Sequence, residues 1–200
     1  MNKDVGVMKP FAAGTPQENG YKSEDVQLLT KAAQVNDVEK LVNPYFFEMP
    51  ASPYTATNSL GIKFDIETVL DCYKELSSNH EIMLIEGIGG VMTPIFENYF
   101  VTSLIKDMNV EAIIIVSSRI GTVNHTLMTC KMCEQNGIKV KGIIINVLDS
   151  DGYEIQDLKR DIEELTKTRI LGIIPFLEDI NLEKLSTIVS DNVDFKLLLK

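Results

Sequence analysis

Three stretches decide the fold class of this chain: Glu111-Ala-Ile-Ile-Ile-Val116, then Ser117-Ser-Arg-Ile-Gly-Thr-Val-Asn-His125, then Val140-Lys-Gly-Ile-Ile-Ile-Asn146. Two continuous β-branched runs flank an amphipathic stretch at 124–136 that stops at Gly137. Apolar runs without alternation belong to strands covered on both faces, as in a parallel sheet. Gly137 supplies the left-handed turn that commonly ends a helix. Strand, helix and strand at this spacing predict a right-handed βαβ unit.

The pattern extends in both directions. Ile82–Ile85 and Ile170–Ile174 are further apolar runs, and Ile66–Asn79, 99–108 and 152–168 are amphipathic. Residues 4–8 predict a strand leading into Lys9-Pro10, followed by a Gly/Pro/Asn-rich loop at 14–22. A helix is expected from about Ser23, capped by that serine, with Asp25 in its first turn. The 42–57 stretch holds Pro44, Pro50 and Pro53 and reads as an ordered excursion outside the core. The expectation is one α/β domain over 1–200 with a doubly wound, mainly parallel sheet.

Composition narrows the partners. The 200 residues carry a net charge of -10, which disfavours nucleic acid and anionic membrane surfaces. No apolar run approaches the roughly 20 residues that span a bilayer, and the first residues lack a secretory pattern. Three cysteines are too few for a disulfide scaffold, so a cytoplasmic setting is expected.

Ligands of open α/β sheets bind where strands end and helices begin. Glu86-Gly-Ile-Gly-Gly90 follows the 82–85 run. It admits two readings: an acid placed beside a phosphate-bound metal, or a glycine-rich turn with a surface glutamate. Gly121, Thr122, Val123 and Asn124 start a helix, whose free amides suit a carboxylate or phosphate; capping by Thr122 or Asn124 is the plainer reading. Asn146 leaves a strand where an amide can meet a purine edge or simply form a turn. Lys9, held by Pro10, can aim an ammonium at a site or be solvated. Cys130-Lys-Met-Cys133 lies within a helix and lacks a second pair, so two helix cysteines are the better reading. The segment from Gly14 to Ser23 has the wrong spacing for a phosphate loop and is not preceded by an expected strand.

Taken in register, these pieces resemble the dethiobiotin synthetase family. The resemblance rests on Lys9-Pro-Phe-Ala-Ala-Gly14, Ser23-Glu-Asp25, Asn43-Pro-Tyr45 with Ala51-Ser-Pro53, Glu86-Gly-Ile-Gly-Gly90, Gly121 to Thr129, Gly142 to Asn146 and Gly172 to Pro175. It implies a P-loop NTPase-like fold and an ATP- and Mg²⁺-dependent ligase. CO2 adds to an amine of 7,8-diaminopelargonate, ATP phosphorylates the carbamate, and the second amine closes the ring. By the resemblance, Lys9 is catalytic, Asp25 and Glu86 hold Mg²⁺, and Gly87, Ile88 and Gly89 line the phosphates and diamine. Ala13 lies at the substrate, Gly121, Thr122, Val123 and Asn124 receive its carboxylate across a homodimer interface, and Asn146, Val147, Pro175, Phe176 and Leu177 contact adenine.

Two departures from the pattern follow. Ala13 stands where the family has serine, removing a hydroxyl contact worth about 1 kcal/mol. The family's opening strand, Gly-Lys-Thr loop and helix have no counterpart here, which predicts unpaired strand edges and impaired activity, with Met1 an internal methionine of a longer protein. The alternatives are a related P-loop amidoligase or partitioning-type ATPase, or a non-catalytic dimeric paralogue with a binding or regulatory role.

Overall fold

The computed structural model describes residues 3–148 and 153–199. They belong to two units, Met1–Met108 and Asn109–Lys200. In the first, chain order runs β1 (Val5–Met8), β2 (Phe11–Ala13), α1 (Glu24–Ala33), α2 (Glu39–Val42), β3 (Tyr45–Phe47), α3 (Pro53–Leu60) and α4 (Ile66–Asn79). It continues with β4 (Ile82–Ile85), β5 (Pro94–Phe96), β6 (Tyr99–Phe100) and α5 (Val101–Asp107). β1 pairs with β4 and β2 with β3, both parallel, while β5 and β6 form an antiparallel pair. Val7, Ala12, Val26 and Val42 make a small buried core. Val26 and Thr30 are the buried positions of α1, one turn apart. Ser23 caps that helix as expected, its Oγ accepting the Val26 N–H at 3.4 Å.

The proline-rich 42–57 stretch is not an excursion. Val42, Phe47 and Ala56 are buried, and the segment contributes β3 and most of α3. Two of its prolines mark element boundaries: Pro44 directly precedes β3, and Pro53 is the first residue of α3, where a missing N–H leaves no helix bond unmade, while Pro50 lies in the bend between them. Two further expectations need correction. β2 is a three-residue strand that leads directly into Gly14, and 99–108 opens with a short strand because Tyr99 and Phe100 pair with β5 before the helix begins at Val101.

The second unit continues with β7 (Ala112–Ser117), α6 (Thr122–Gln135), β8 (Val140–Asn146), α7 (Ile155–Thr166), β9 (Ile170–Ile174), α8 (Leu182–Asn192) and α9 (Phe195–Leu198). β7, β8 and β9 form a parallel sheet in that order, as the apolar runs predict. Leu158 and Ile162, one turn apart on α7, pack with Ile143 and Ile145 of β8 and Ile114 and Val116 of β7. Gly137 has φ +69°, in the left-handed region that closes α6.

Continuous hydrophobicity overstated the covering of two strands. Leu84 of β4 is 48% exposed and Ile115 of β7 is 61% exposed. Among the described residues β4 bonds only to β1, and β7 only to β8. A strand with one neighbour lacks the flanking chain that would shield its side chains. No described helix is long and apolar enough to cross a membrane.

His80 ties three segments of the first unit together. Its Nδ1 lies 3.1 Å from both Asp4 carboxylate oxygens, and its Nε2 lies 3.1 Å from Asp37 Oδ2. Burial of the ring disfavours charge, but hydrogen bonds to Asp4 and Asp37 outweigh it and raise the imidazole above its ordinary value. A group whose folded value is raised stabilises the fold fully below its unfolded value of about 6.5 and loses that contribution as pH rises through the folded value. The urea midpoint of the native chain should therefore exceed that of His80→Gln by more at pH 6 than at pH 8.5. An equal gap at both values would show that the clamp carries no charge.

Candidate active site

Parallel pairing determines which side chains meet. Met8 of β1 registers with Ile85 of β4, and the ladder continues as the Glu86 N–H donates to the Met8 carbonyl at 2.8 Å. Lys9 and Glu86 therefore leave adjacent strands at the same level. Lys9 Nζ lies 2.5 Å from Glu86 Oε1 and 3.2 Å from Asp25 Oδ2. Asp25 reaches the pair from the first turn of α1, which Ser23 anchors. The lysine side chain is only 7% exposed, whereas the carboxylates of Asp25 and Glu86 are 60% and 45% exposed. A buried ammonium thus faces two acids that open to solvent.

Each acid gives one oxygen to the lysine, leaving Glu86 Oε2 and Asp25 Oδ1 without a hydrogen bond among the described residues. Two hard anionic oxygens fit Mg²⁺, which uses one or two carboxylates and completes its shell with water and phosphate oxygens. The donor chemistry therefore agrees with the cation that the resemblance implies.

Gly87, Ile88 and Gly89 follow Glu86, with both glycines exposed and Ile88 half-buried. Gly89 has φ +73°, and a Cβ there would sit 2.7 Å from Thr93 Oγ1, so a side chain is excluded on two counts. Ala13 ends β2 in register with Phe47, and the next amide, of Gly14, donates to the Phe47 carbonyl at 2.9 Å.

In the second unit, Gly121 adopts φ +93° and is itself the N-cap of α6, with no side chain among the described residues capping the helix. This corrects the expected capping by Thr122 or Asn124. Thr122 is buried and Thr126 Oγ1 donates back to its carbonyl at 2.7 Å, so Thr122 belongs to the helix proper. Val123 and Asn124 lie in the same uncapped first turn, the place where amides seek an anion. His125 is exposed there.

Asn146 and Ile174 are register partners, and the Val147 N–H donates to the Ile174 carbonyl at 2.9 Å. Asn146 and Val147 thus leave β8 beside Pro175, Phe176 and Leu177 leaving β9. Phe176 is 46% exposed, presenting an aromatic face on that rim. Reading each strand end separately did not reveal this adjacency, nor the role of Ser118. That serine is fully buried: its Oγ accepts the Leu148 N–H at 3.3 Å and its carbonyl accepts the Tyr153 N–H at 2.8 Å. Its position, one residue past β7, is the only sequence signal it offers.

Residues 1–184 match the family described as AAA domain. The chain is 55% identical over 200 residues to the ATP-dependent dethiobiotin synthetase BioD of Nitrosopumilus maritimus, with 100% of this chain and 88% of that protein covered. It is 34% identical over 197 residues to the enzyme of the same name from Bacillus licheniformis, covering 98% and 83% respectively. Among solved structures, a ParA family ATPase from Chlorobium tepidum superposes with a TM-score of 0.53 at 12% identity, over 98% of this chain and 86% of that one. That likeness concerns the fold alone.

Proposed function

The chain belongs to the AAA-domain family and, within it, to the ATP-dependent dethiobiotin synthetases, and on that footing we propose that Lys9, Asp25 and Glu86 form its reaction centre. It is a ligase of biotin synthesis that uses ATP and Mg²⁺. CO2 adds to one amine of 7,8-diaminopelargonate to give a carbamate. The carbamate oxygen takes the γ-phosphoryl group of ATP, and the second amine then attacks the activated carbon. The ureido ring closes as phosphate and ADP leave.

The observation that carries this reading is the buried Lys9 ammonium between two solvent-open carboxylates. Both the carbamate and the transferring phosphoryl group are anions, and a pre-positioned cation stabilises the charge that develops between them. Mg²⁺ supplies further charge neutralisation at the phosphate oxygens when bound. Asp25 and Glu86 would hold it through the oxygens that Lys9 leaves free. Gly87, Ile88 and Gly89 offer close backbone approach, and Ala13 shortens the wall where a hydroxyl would otherwise stand.

In the second unit, the uncapped turn from Gly121 to Asn124 is assigned to the substrate carboxylate, with a homodimer completing that contact. Asn146 and Val147, with Pro175, Phe176 and Leu177, are assigned to adenine: the amide for its edge and Phe176 for its face. Nucleic acid and membrane are not partners in this reading, and the cytoplasm is its setting.

The deciding assay is ADP release by the natural full-length protein with Mg²⁺, bicarbonate and 7,8-diaminopelargonate. Release that requires the diamine, with dethiobiotin formed in equal amount, is expected. ADP release indifferent to the diamine would favour a partitioning-type ATPase, and none at all would favour a binding module.

A further inference from the structure

We propose that Asn43 is a positioning residue for Lys9, doing through its side chain what Pro44 cannot do through its backbone. The proposal rests on the reading of Lys9 given above and goes beyond it. Phe11 registers with Tyr45 where the β2–β3 ladder begins, just after Pro10 on one strand and Pro44 on the other. The ladder does not continue in phase to Lys9. The Lys9 N–H donates to the Val42 carbonyl at 2.8 Å, and the Tyr45 N–H donates to the Pro10 carbonyl at 3.3 Å. Only in the phase of the Lys9 bond, one step off the β2–β3 ladder, would a parallel partner bring the N–H of residue 44 to the Lys9 carbonyl. Residue 44 is proline and has none.

Asn43 fills that vacancy. It is buried, and its Nδ2 donates to the Lys9 carbonyl at 2.6 Å and to the Tyr45 carbonyl at 3.1 Å. Both protons of the amide are thereby used, one on each strand. Lys9 is held at N–H and carbonyl alike, so its Cα–Cβ bond has a fixed direction before any side-chain packing is considered. A buried side chain anchored this way delivers its ammonium to Glu86 and Asp25 with little freedom left. Asn43 touches no reacting group; it acts through the lysine backbone.

Two readouts separate this role from general support of the fold. The first is a double-mutant cycle on turnover of the natural full-length protein. Asn43→Ala alone should lower kcat about 10- to 100-fold, the scale of a small misplacement of a catalytic group, with KM for ATP nearly unchanged. In the Lys9→Ala background the same change should lower it no further. An equal fold-loss in both backgrounds would overturn the proposal. The second readout needs no turnover: acetylation of Lys9 by acetic anhydride, followed by peptide mass spectrometry, should rise several-fold in Asn43→Ala. Val69→Ala, which opens a cavity under α4, should leave Lys9 labelling at the native rate. Unchanged labelling in Asn43→Ala would also overturn the proposal. If Lys9→Ala itself keeps native turnover, the site reading fails while the labelling result still decides on Asn43. Should Asn43→Ala not fold, Asn43→Ser carries the same two readouts, with a smaller loss because its hydroxyl retains one donor.

Discussion

Lys9→Ala is expected to lower turnover by about 10²- to 10³-fold, the usual cost of removing one pre-positioned group that stabilises transition-state charge. The protein should nevertheless fold. Lys9 is buried, but its partners Asp25 and Glu86 are more than a third exposed and can rehydrate when the ammonium is gone. Lys9→Met sharpens the test because it keeps the buried stem and discards only the charge. An apolar replacement of similar volume for a buried ion is often neutral for stability. The expected result is a urea midpoint near native together with the same loss of kcat as the alanine variant. Native turnover by Lys9→Met would remove Lys9 from the mechanism.

Glu86→Gln is the second large effect. The exchange keeps shape and hydrogen bonding but deletes a hard anionic oxygen and the acid closest to Lys9. The Mg²⁺ concentration for half-maximal ADP release should rise about tenfold or more, and turnover at saturating Mg²⁺ should fall as well. Asp25→Asn should move in the same direction by less. It lies 3.2 Å from the ammonium against 2.5 Å for Glu86, and it is the more exposed of the two. A Mg²⁺ dependence unchanged in both variants would rule out these carboxylates as the cation's ligands.

Much of the architecture was legible because continuous apolar runs report burial within a parallel sheet. Ile82–Ile85, Val140–Asn146 and Ile170–Ile174 are strands with the expected bounds, and Ile66–Asn79 is the expected helix. The short elements were not legible. β2 and β3 are three residues each, too brief for a period, and prolines that read as breakers prove to sit at the edges of elements. The candidate site residues stood out one by one, as a lysine before proline and an acid before glycines. Their assembly did not. Whether Lys9 faces Glu86 depends on which strand lies beside β1, a choice that hydrophobicity does not encode. Asn43 illustrates the same limit: its bond to the Lys9 carbonyl joins residues 34 positions apart and shows only once the segments are packed.

The pairing of β1 with β4 also bears on how the protein becomes active. Lys9 and Glu86 are 77 positions apart, and no local contact can bring them together. Closing so long a loop is entropically slow compared with building a neighbouring βαβ unit such as β7, α6 and β8. In refolding, helix signal and burial of the second unit should thus precede return of turnover. The Lys9–Glu86 contact would then be a late product of folding, and return of turnover would report the docking of the last strand.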